Sequence, residues 1–171
     1  MICNAEVFIL CEDTVHYHFT RKYFQSLGFT RIRGDYKPKG RSTGSGAEFV
    51  KKQFEKELQT YLSKKNHLNY ILVVVIDDDT KAHAKKLHQH YSRLPSDTIL
   101  IFSPKRNIES WFHYIEGNIV DETEDYKRLY QPSEPAKFAK RLKQNICSVS
   151  LPNDAPSSLR HACTELNRLK N

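Results

Sequence analysis

The sequence lacks any hydrophobic run long enough to cross a bilayer. Its longest apolar segment, Tyr70 to Ile76, is far shorter than the roughly 20 residues that a membrane-spanning helix needs. The first residues, MICNAEVFILCED, carry no basic leader and no small-residue cleavage site, and acidic residues close their apolar stretch. This segment is therefore predicted to be a strand rather than a signal peptide. Together these absences predict a cytoplasmic protein that does not contact a membrane.

Cysteine is scarce: the chain has four, at positions 3, 11, 147 and 163, and no CxxC pair. Cys11 lies in a strand-like pattern and Cys163 in a helical one, which favours free thiols buried in a core and a reducing compartment. The segment GRSTGSG lacks the Gly-Lys-Ser/Thr ending of a nucleotide-binding P-loop, so ATP binding is not predicted. The spacing of His83, His88 and His90 does not place them on one helical face, so no zinc site is predicted.

Positive charge exceeds negative charge, with 27 Lys and Arg residues against 20 Asp and Glu residues and a net charge of +7. The excess is concentrated between residues 31 and 52, where seven basic residues stand against two acids. A glycine-rich loop, Asp35 to Gly46, lies within this segment. Its Lys37, Lys39 and Arg41 are candidates for contacts with nucleic-acid phosphates. An ordinary solvated loop is the alternative interpretation.

Hydrophobic patterns typical of strands and helices alternate along the chain. Apolar runs that predict buried strands cover residues 6–11, 69–76 and 98–102, and a shorter strand is predicted at 29–33. Helical spacing covers residues 15–27, 47–64, 81–94, 107–115, 134–145 and 156–169. This order predicts an α/β fold of three layers, with a mainly parallel sheet of about four strands and helices on both faces. Residues 1–117 are expected to form the core, and 118–171 a helical extension packed on the same domain.

Each of the three long apolar strands is followed by polar residues. Glu12 and Asp13 follow the first, Asp77 to Asp79 follow the second, and Ser103 to Arg106 follow the third. In parallel sheets the carboxyl ends of the strands are where sites form. Because side chains alternate along a strand, Asp77 and Asp79 are expected to face one point, with Glu12 as a third carboxylate. Oxygen ligands of this kind suit Mg²⁺ or Mn²⁺, whereas acids that only cap the following helices are the alternative.

Three segments resemble motifs of the Toprim family. VFILCEDTVHYHFTRKYFQSLGF resembles the motif in which a glutamate ends the first strand, and LVVVIDDDT resembles the DxD motif. IFSPKRNIESW resembles a later motif of small Toprim proteins related to the overcoming-lysogenization-defect nucleases. The resemblance covers about residues 6–116. Many Toprim proteins have a glycine and a second acid where this chain has Asp13 and His16; Asp13 is a candidate further ligand. His16 is a candidate base or phosphate contact, although a histidine on the helix surface is the favoured interpretation.

The resemblance implies metal-dependent cleavage of phosphodiester bonds in nucleic acid, with DNA as the expected substrate. The residues that it implies to be catalytic are Glu12, Asp77, Asp79 and Lys105. The ligands that it implies for Mg²⁺ or Mn²⁺ are Glu12, Asp77, Asp79 and Glu109. Arg106 leaves the third strand at the same edge and is expected to bind nucleic acid together with the basic loop. The resemblance also implies an ATPase partner in bacterial antiviral defence, and a homo-oligomer is a further expectation.

Two other classes of protein fit parts of the pattern. A Toprim fold can serve as a non-catalytic binding or regulatory subunit of a larger complex. A phosphoacceptor receiver domain would use a set like Glu12-Asp13, Asp77 and Lys105, but here the order Pro104-Lys105 reverses the usual Lys-Pro. A haloacid-dehalogenase phosphatase would need DxDxT, and Thr80 comes one residue too early for it.

Overall fold

The central feature of the molecule is a sheet of four parallel strands. The computed structural model describes residues 4–38, 40, 44–79, 82–130, 135–145 and 151–170. In chain order the strands are β1 (Glu6–Cys11), β2 (Arg31–Tyr36), β3 (Tyr70–Val75) and β4 (Ile99–Phe102). Their order across the sheet is β2-β1-β3-β4, and every neighbouring pair is parallel. The predicted α/β class and the parallel four-stranded sheet are thus confirmed.

Helices cover both faces of this sheet, which makes three layers and is consistent with a Toprim-like fold. The described residues form six α-helices: α1 (Thr14–Ser26), α2 (Gly46–Lys64), α3 (His83–His90), α4 (Glu109–Ile115), α5 (Pro135–Asn145) and α6 (Ser157–Glu165). Short 3₁₀ turns lie at Lys127–Leu129 and Leu166–Leu169. Helices α1, α4, α5 and α6 contribute to the core on one face, and α2 and α3 contribute to the core on the other.

The two cores follow from the pleat of the strands. In β1, Val7, Ile9 and Cys11 point into the first core, while Leu10 points into the second. Strand β3 is buried at every position, because both of its faces are covered by helices. Trp111, in α4, is also buried in the first core.

Several elements differ from their predicted bounds, and β2, α3 and α6 differ most; α6 ends at Glu165 rather than residue 169. Strand β2 begins at Arg31 rather than residue 29 and runs on to Tyr36, so part of the predicted loop belongs to the sheet. Helix α3 ends at His90 instead of continuing to residue 94. The physical reason is Asp97, a buried carboxylate that accepts hydrogen bonds from the Leu94 N–H at 2.8 Å and the Tyr91 hydroxyl at 3.0 Å. These bonds hold the chain after α3 in a loop.

The C-terminal helices pack on the same core. Helix α5 lies against α1, and α6 lies beside β4. The Glu165 carboxylate accepts a hydrogen bond from the Ile101 N–H at 2.8 Å, and the Arg93 guanidinium donates to the Ile99 carbonyl at 2.7 Å. Arg93 and Glu165 also form an ion pair with each other. The outer edge of β4 is therefore closed by side chains.

The prediction of free cysteines is confirmed at one position and wrong at another. Cys11 is a buried free thiol, as predicted, whereas Cys163 is disulfide-bonded, so the prediction of a free thiol is wrong there. Within the part of the chain that the structure describes, no helix is both long enough and apolar enough to span a membrane.

Candidate functional site at the acidic edge of the sheet

The carboxyl ends of β1 and β3 bring Glu12 and Asp77 together. The two strands are neighbours, and Cys11 pairs with Val75 at the end of the ladder. One residue beyond Cys11, the Glu12 Oε1 accepts a hydrogen bond from the backbone N–H of Asp77 at 2.7 Å. Gly46, the first residue of α2, packs against the same side chain: a Cβ at this position would lie 2.7 Å from Glu12 Cβ. Two strand ends and one helix start therefore fix the place of Glu12.

A buried histidine connects two of the acids. His16, in the first turn of α1, is only 1% exposed, and its Nε2 lies 3.0 Å from Asp77 Oδ1. Its Nδ1 lies 3.7 Å from Asp13 Oδ1. Asp13 is the N-cap of α1 and accepts hydrogen bonds from the N–H groups of Val15 at 2.9 Å and His16 at 3.0 Å. The expectation of a histidine on the helix surface is wrong, because α1 turns this face toward the strand ends.

These contacts decide the charge of His16. Burial alone would lower its pKa, but the nearby carboxylates of Asp77 and Asp13 outweigh burial and raise the pKa of His16 to about 10. Burial also acts to raise the pKa of Asp13, yet the charge of His16 and the helix N–H groups outweigh it and lower that pKa. At neutral pH, His16 is therefore a buried cation held between the carboxyl groups of Asp77 and Asp13.

Glu12 is in the opposite situation. Burial and the neighbouring charge of Asp77 raise its pKa to about 7, even though His16 and the Asp77 N–H favour its charged form. Glu109, at the start of α4, is 8% exposed, and burial raises its pKa as well. It interacts electrostatically with His16, Lys127 and Asp77. Carboxylates thus crowd this edge from three elements, and Glu12 is poised to gain or lose a proton near neutral pH.

A lysine from the segment after α4 completes the cluster. Lys127 Nζ lies 3.9 Å from Asp77 Oδ2, and its side chain is about half exposed. Burial acts to lower the pKa of Lys127, but Asp77 and Glu109 outweigh it and raise that pKa. The six residues Glu12, Asp13, His16, Asp77, Glu109 and Lys127 are called the acidic edge site below. Its four acids outnumber its two cations.

The other two acids of the second cluster contact the α3 side of the sheet. Asp78 donates its backbone N–H to the Pro104 carbonyl at 2.7 Å, and its side chain accepts from the Ala84 N–H at 3.3 Å. Asp79 is exposed, and its Oδ1 lies 3.5 Å from Nε2 of the buried His83. Strand β3 ends at Val75, so the side-chain alternation that predicted a shared direction for Asp77 and Asp79 does not extend to Asp79.

The predicted basic residues lie at the surface where they are described. Lys105 and Arg106 are exposed on the turn after β4, and Arg106 has a left-handed backbone with φ of 63°. Lys37 follows β2 and donates a hydrogen bond to the Gly44 carbonyl, which draws the two ends of the basic loop together. Lys39 and Arg41 lie outside the described residues.

The donor atoms of the predicted metal site are already engaged with other groups. Among the residues that the structure describes, no group of three or more His, Cys, Asp or Glu side chains is arranged to hold a metal ion. Asp77 already contacts His16 and Lys127, and Glu12 already accepts a backbone N–H. The side chains as placed do not fit Mg²⁺ or Mn²⁺ without rearrangement. Binding by Glu12, Asp77, Asp79 and Glu109 stays a prediction.

Sequence reasoning missed Lys127 and placed His16 on the helix surface instead of in the site. Lys127 lies in a polar segment, DETEDYKRLY, that has no pattern pointing to a strand end far away in the chain. His16 carried a signal that was available, since it stands where the related motif has an acid, close to the end of β1. A histidine in that position beside several acids predicts an internal ion pair.

No family model, curated protein or solved structure matches the chain. The class of this protein is therefore described from its fold and its site alone. The chain is a three-layer α/β domain whose two central parallel strands end in a cluster of acids, neutralised in part by a buried histidine and a half-exposed lysine.

Proposed function

We propose that this chain is a Toprim-type hydrolase that cleaves phosphodiester bonds of nucleic acid at the acidic edge site. The observation that carries the proposal is the meeting of Glu12, Asp77 and Glu109 at the carboxyl edge of a parallel sheet, beside Lys127. Active sites of parallel α/β proteins form at this edge. The resemblance of the segments around Glu12 and Asp77 to Toprim motifs gives the reaction class.

The residues of the site have distinct roles in this proposal. Glu12, with a pKa of about 7, accepts the proton of the attacking water, because a general base works best when its pKa is near the working pH. Lys127 offsets the negative charge that develops on the phosphate. His16 acts on Asp77, whose carboxylate it holds at 3.0 Å, and does not touch the substrate because it is fully buried.

Surface charge supports a polyanionic substrate. Lys105, Arg106 and Lys37 are located around the same end of the sheet, and the chain carries a net charge of +7. Attraction of this kind does not depend on sequence and weakens with added salt. The expected ATPase partner and the role in defence are further parts of the proposal that depend on the Toprim resemblance alone.

The test is a cleavage assay on the full chain with plasmid, single-stranded DNA and RNA, in Mg²⁺, Mn²⁺ or chelator. We expect Glu12→Gln and Asp77→Asn to lower cleavage by roughly a hundredfold or more, the usual contribution of acid–base catalysis. The cleavage rate of the wild type should rise with pH through about 7 and then level off, because Glu12 must lose its proton to act.

Glu55→Gln is the matched control, since Glu55 is an exposed acid on α2 that pairs with His90. It should cleave like the wild type. Asp79→Asn tests whether Asp79 belongs to a catalytic metal site. If Asp79 helps to hold such a metal, this substitution should cause a large loss of cleavage. Equal cleavage by wild type, Glu12→Gln and Asp77→Asn would refute the proposal.

A second candidate is a non-catalytic Toprim-fold subunit of a larger complex. The observation that favours it is His16, whose positive charge stands where the related motif has an acid and already neutralises Asp77. This candidate predicts nucleic-acid or protein binding without cleavage by the wild type, with any metal and any of the three substrates. The same assay therefore separates the two candidates.

A further inference from the structure

A pair of tyrosines lies at the surface next to the acidic edge site. The register of β2 places Ile32, Gly34 and Tyr36 on the face covered by α1, while Arg33 and Asp35 point to the opposite face. Tyr17 projects from α1 onto this strand, and its ring centre lies 5.1 Å from that of Tyr36, with a tilt of 38°.

The sequence makes room for this pair at one position. A Cβ on Gly34 would lie 2.3 Å from the Ile9 carbonyl oxygen and 2.8 Å from Cε2 of Tyr17. Any larger residue would push the Tyr17 ring away from the strand. The ring therefore lies against bare backbone, next to Tyr36, because residue 34 is glycine.

The two tyrosines are only partly buried against the core. Both tyrosines are half-buried, and neither hydroxyl has a hydrogen-bond partner among the residues that the structure describes. In the described part of the sheet, β2 is an edge strand with β1 as its one neighbour. Aromatic surface at such an edge remains accessible to a ligand.

A guanidinium and an imidazole ring flank the Tyr17 ring. The Arg21 guanidinium carbon lies 5.9 Å from the centre of the Tyr17 ring, and His18 meets that ring edge-on at 5.8 Å. His18, Arg21 and Lys22 are all exposed on α1. On the strand side, Lys37 follows Tyr36 directly and starts the basic loop. Aromatic faces flanked by basic side chains suit a ligand that has both flat rings and negative charge.

The pair is also adjacent to the proposed reaction centre. Tyr36 pairs with Cys11 at the end of β1, and Glu12 is the next residue in the chain. Neighbouring strands are about 4.8 Å apart. Tyr17 directly follows His16 in α1. The tyrosines are therefore close in the sheet and in α1 to two residues of the acidic edge site.

We propose that Tyr17 and Tyr36 form a stacking surface for unpaired bases, so that the substrate is single-stranded nucleic acid with its phosphates against Arg21, Lys22 and Lys37. This inference rests on the proposed function and deepens it by naming the substrate class. Unpaired bases offer a free ring face, whereas bases in a duplex are already stacked on each other. Stacking on aromatic side chains tolerates any base, and DNA and RNA share the required chemistry.

The test compares binding of the full chain to fluorescent oligo(dT), oligo(rU) and a duplex of equal length, at a fixed salt concentration. Tyr36→Leu keeps an apolar side chain but removes the ring. We expect it to weaken binding to both single strands by roughly five- to a hundredfold, the effect of losing one stacked base. Binding to the duplex should change less than twofold. Tyr114→Leu, a partly buried tyrosine on α4, is the matched control and should bind like the wild type.

Two further variants separate stacking from charge. Arg21→Gln should reduce the slope of log K against log salt by about 0.7 for single strands, while Tyr36→Leu should leave this slope unchanged. Tyr36→Trp keeps a stacking ring and adds a surface fluorophore to a chain whose one other tryptophan, Trp111, is buried. Its emission should be quenched by oligo(dT) and not by the duplex, which gives a readout even if Tyr36→Leu folds poorly.

Equal affinity of the wild type for single strands and duplex, together with unquenched Tyr36→Trp, would overturn the inference. Failure of the proposed function looks different. Cleavage that depends on Glu12 but not on Tyr36 would leave the hydrolase proposal standing and remove the stacking surface. Binding of single strands that depends on Tyr36, without any cleavage, would support the stacking surface and refute the hydrolase proposal.

Discussion

At the scale of single residues, the contact between His16 and Asp77 sets the character of the site. A buried carboxylate that lacks a partner is costly, and here the partner is an imidazolium ring with 1% of its surface exposed. Lys127 approaches the other oxygen of Asp77 from solvent. One of these cations is fixed in the core and the other is on the surface, so only Lys127 can move aside without disturbing the fold.

Replacing His16 should destabilise the protein in a way that depends on pH. We expect His16→Phe to lower the free energy of unfolding by about 3–5 kcal/mol near pH 6, the usual cost of removing one partner of a buried ion pair. Folding raises the pKa of His16 from 6.5 to about 10. Its stabilisation is therefore complete below pH 6.5 and is lost as the pH rises through 10.

The measurement is urea unfolding of wild type and His16→Phe at several pH values between 6 and 10. The difference between the two proteins should shrink as the pH rises. His18→Phe, an exposed neighbour on the same helix, is the control and should cost little at any pH. A loss of the same size at both ends of the range would mean that packing, not charge, accounts for the effect of His16.

At the scale of elements, the strands and helices were predictable because their signals are local. The bounds of β1 agree with its prediction residue for residue, since an apolar run is closed by Glu12 and Asp13. The end of α3 was not predictable, because it depends on Asp97 binding Tyr91 and Leu94 in the folded chain.

The acidic edge site was predictable where its residues follow strand ends and was not predictable where they depend on contacts in the folded chain. Glu12 and Asp77 follow adjacent strands, so the topology brings them together. Glu109 joins them through α4. Lys127 reaches Asp77 across a sequence separation that no periodic pattern records. The direction of Asp79 depends on where strand pairing stops, which is also a property of the folded sheet.

The start of α2 gives the second prediction, since Gly46 is the point where this helix touches Glu12. Gly46→Ala would gain up to about 1 kcal/mol from helix propensity. The added Cβ, however, would lie 2.7 Å from Glu12 Cβ and 3.1 Å from its backbone oxygen. Overpacking of this kind costs about 1–3 kcal/mol, so we expect a net loss of stability.

Thermal unfolding of Gly46→Ala measures this loss, and Ser45→Ala provides the comparison. Ser45 caps the same helix through a hydrogen bond from the Glu48 N–H at 3.2 Å. Both variants should melt at a lower temperature than the wild type. Gly46→Ala alone should also alter the pH dependence of cleavage, because it displaces Glu12. A more stable Gly46→Ala protein would show that the helix start and Glu12 are not packed as described.

At the scale of the whole molecule, the charge is arranged with acids at one edge of the sheet inside a basic chain. The net charge of +7 attracts a polyanion, while the acidic edge site would repel its phosphates if the carboxylates stood alone. The buried His16 and the half-exposed Lys127 reduce this repulsion. The four acids still outnumber them, so the site as a whole retains an attraction for positive charge.

This balance leads to the last prediction, which concerns divalent cations. If Mg²⁺ or Mn²⁺ binds at Asp77, it must compete with Lys127, whose Nζ lies 3.9 Å from the Asp77 carboxylate. Removing the lysine charge should therefore strengthen binding. A cation present at a hundred times its Kd stabilises the fold by about 2.7 kcal/mol, and for a chain of this length that raises Tm by roughly 5–10 °C.

At a fixed Mn²⁺ concentration we expect the rise in Tm to be larger for Lys127→Gln than for wild type and absent for Asp77→Asn. Lys105→Gln, which removes a charge from the exposed turn after β4, should behave like wild type. If Lys127→Gln and wild type respond alike to Mn²⁺, Lys127 does not compete with a cation at Asp77. If neither responds, Mn²⁺ does not bind at this edge of the sheet, and His16 and Lys127 supply the counter-charge there.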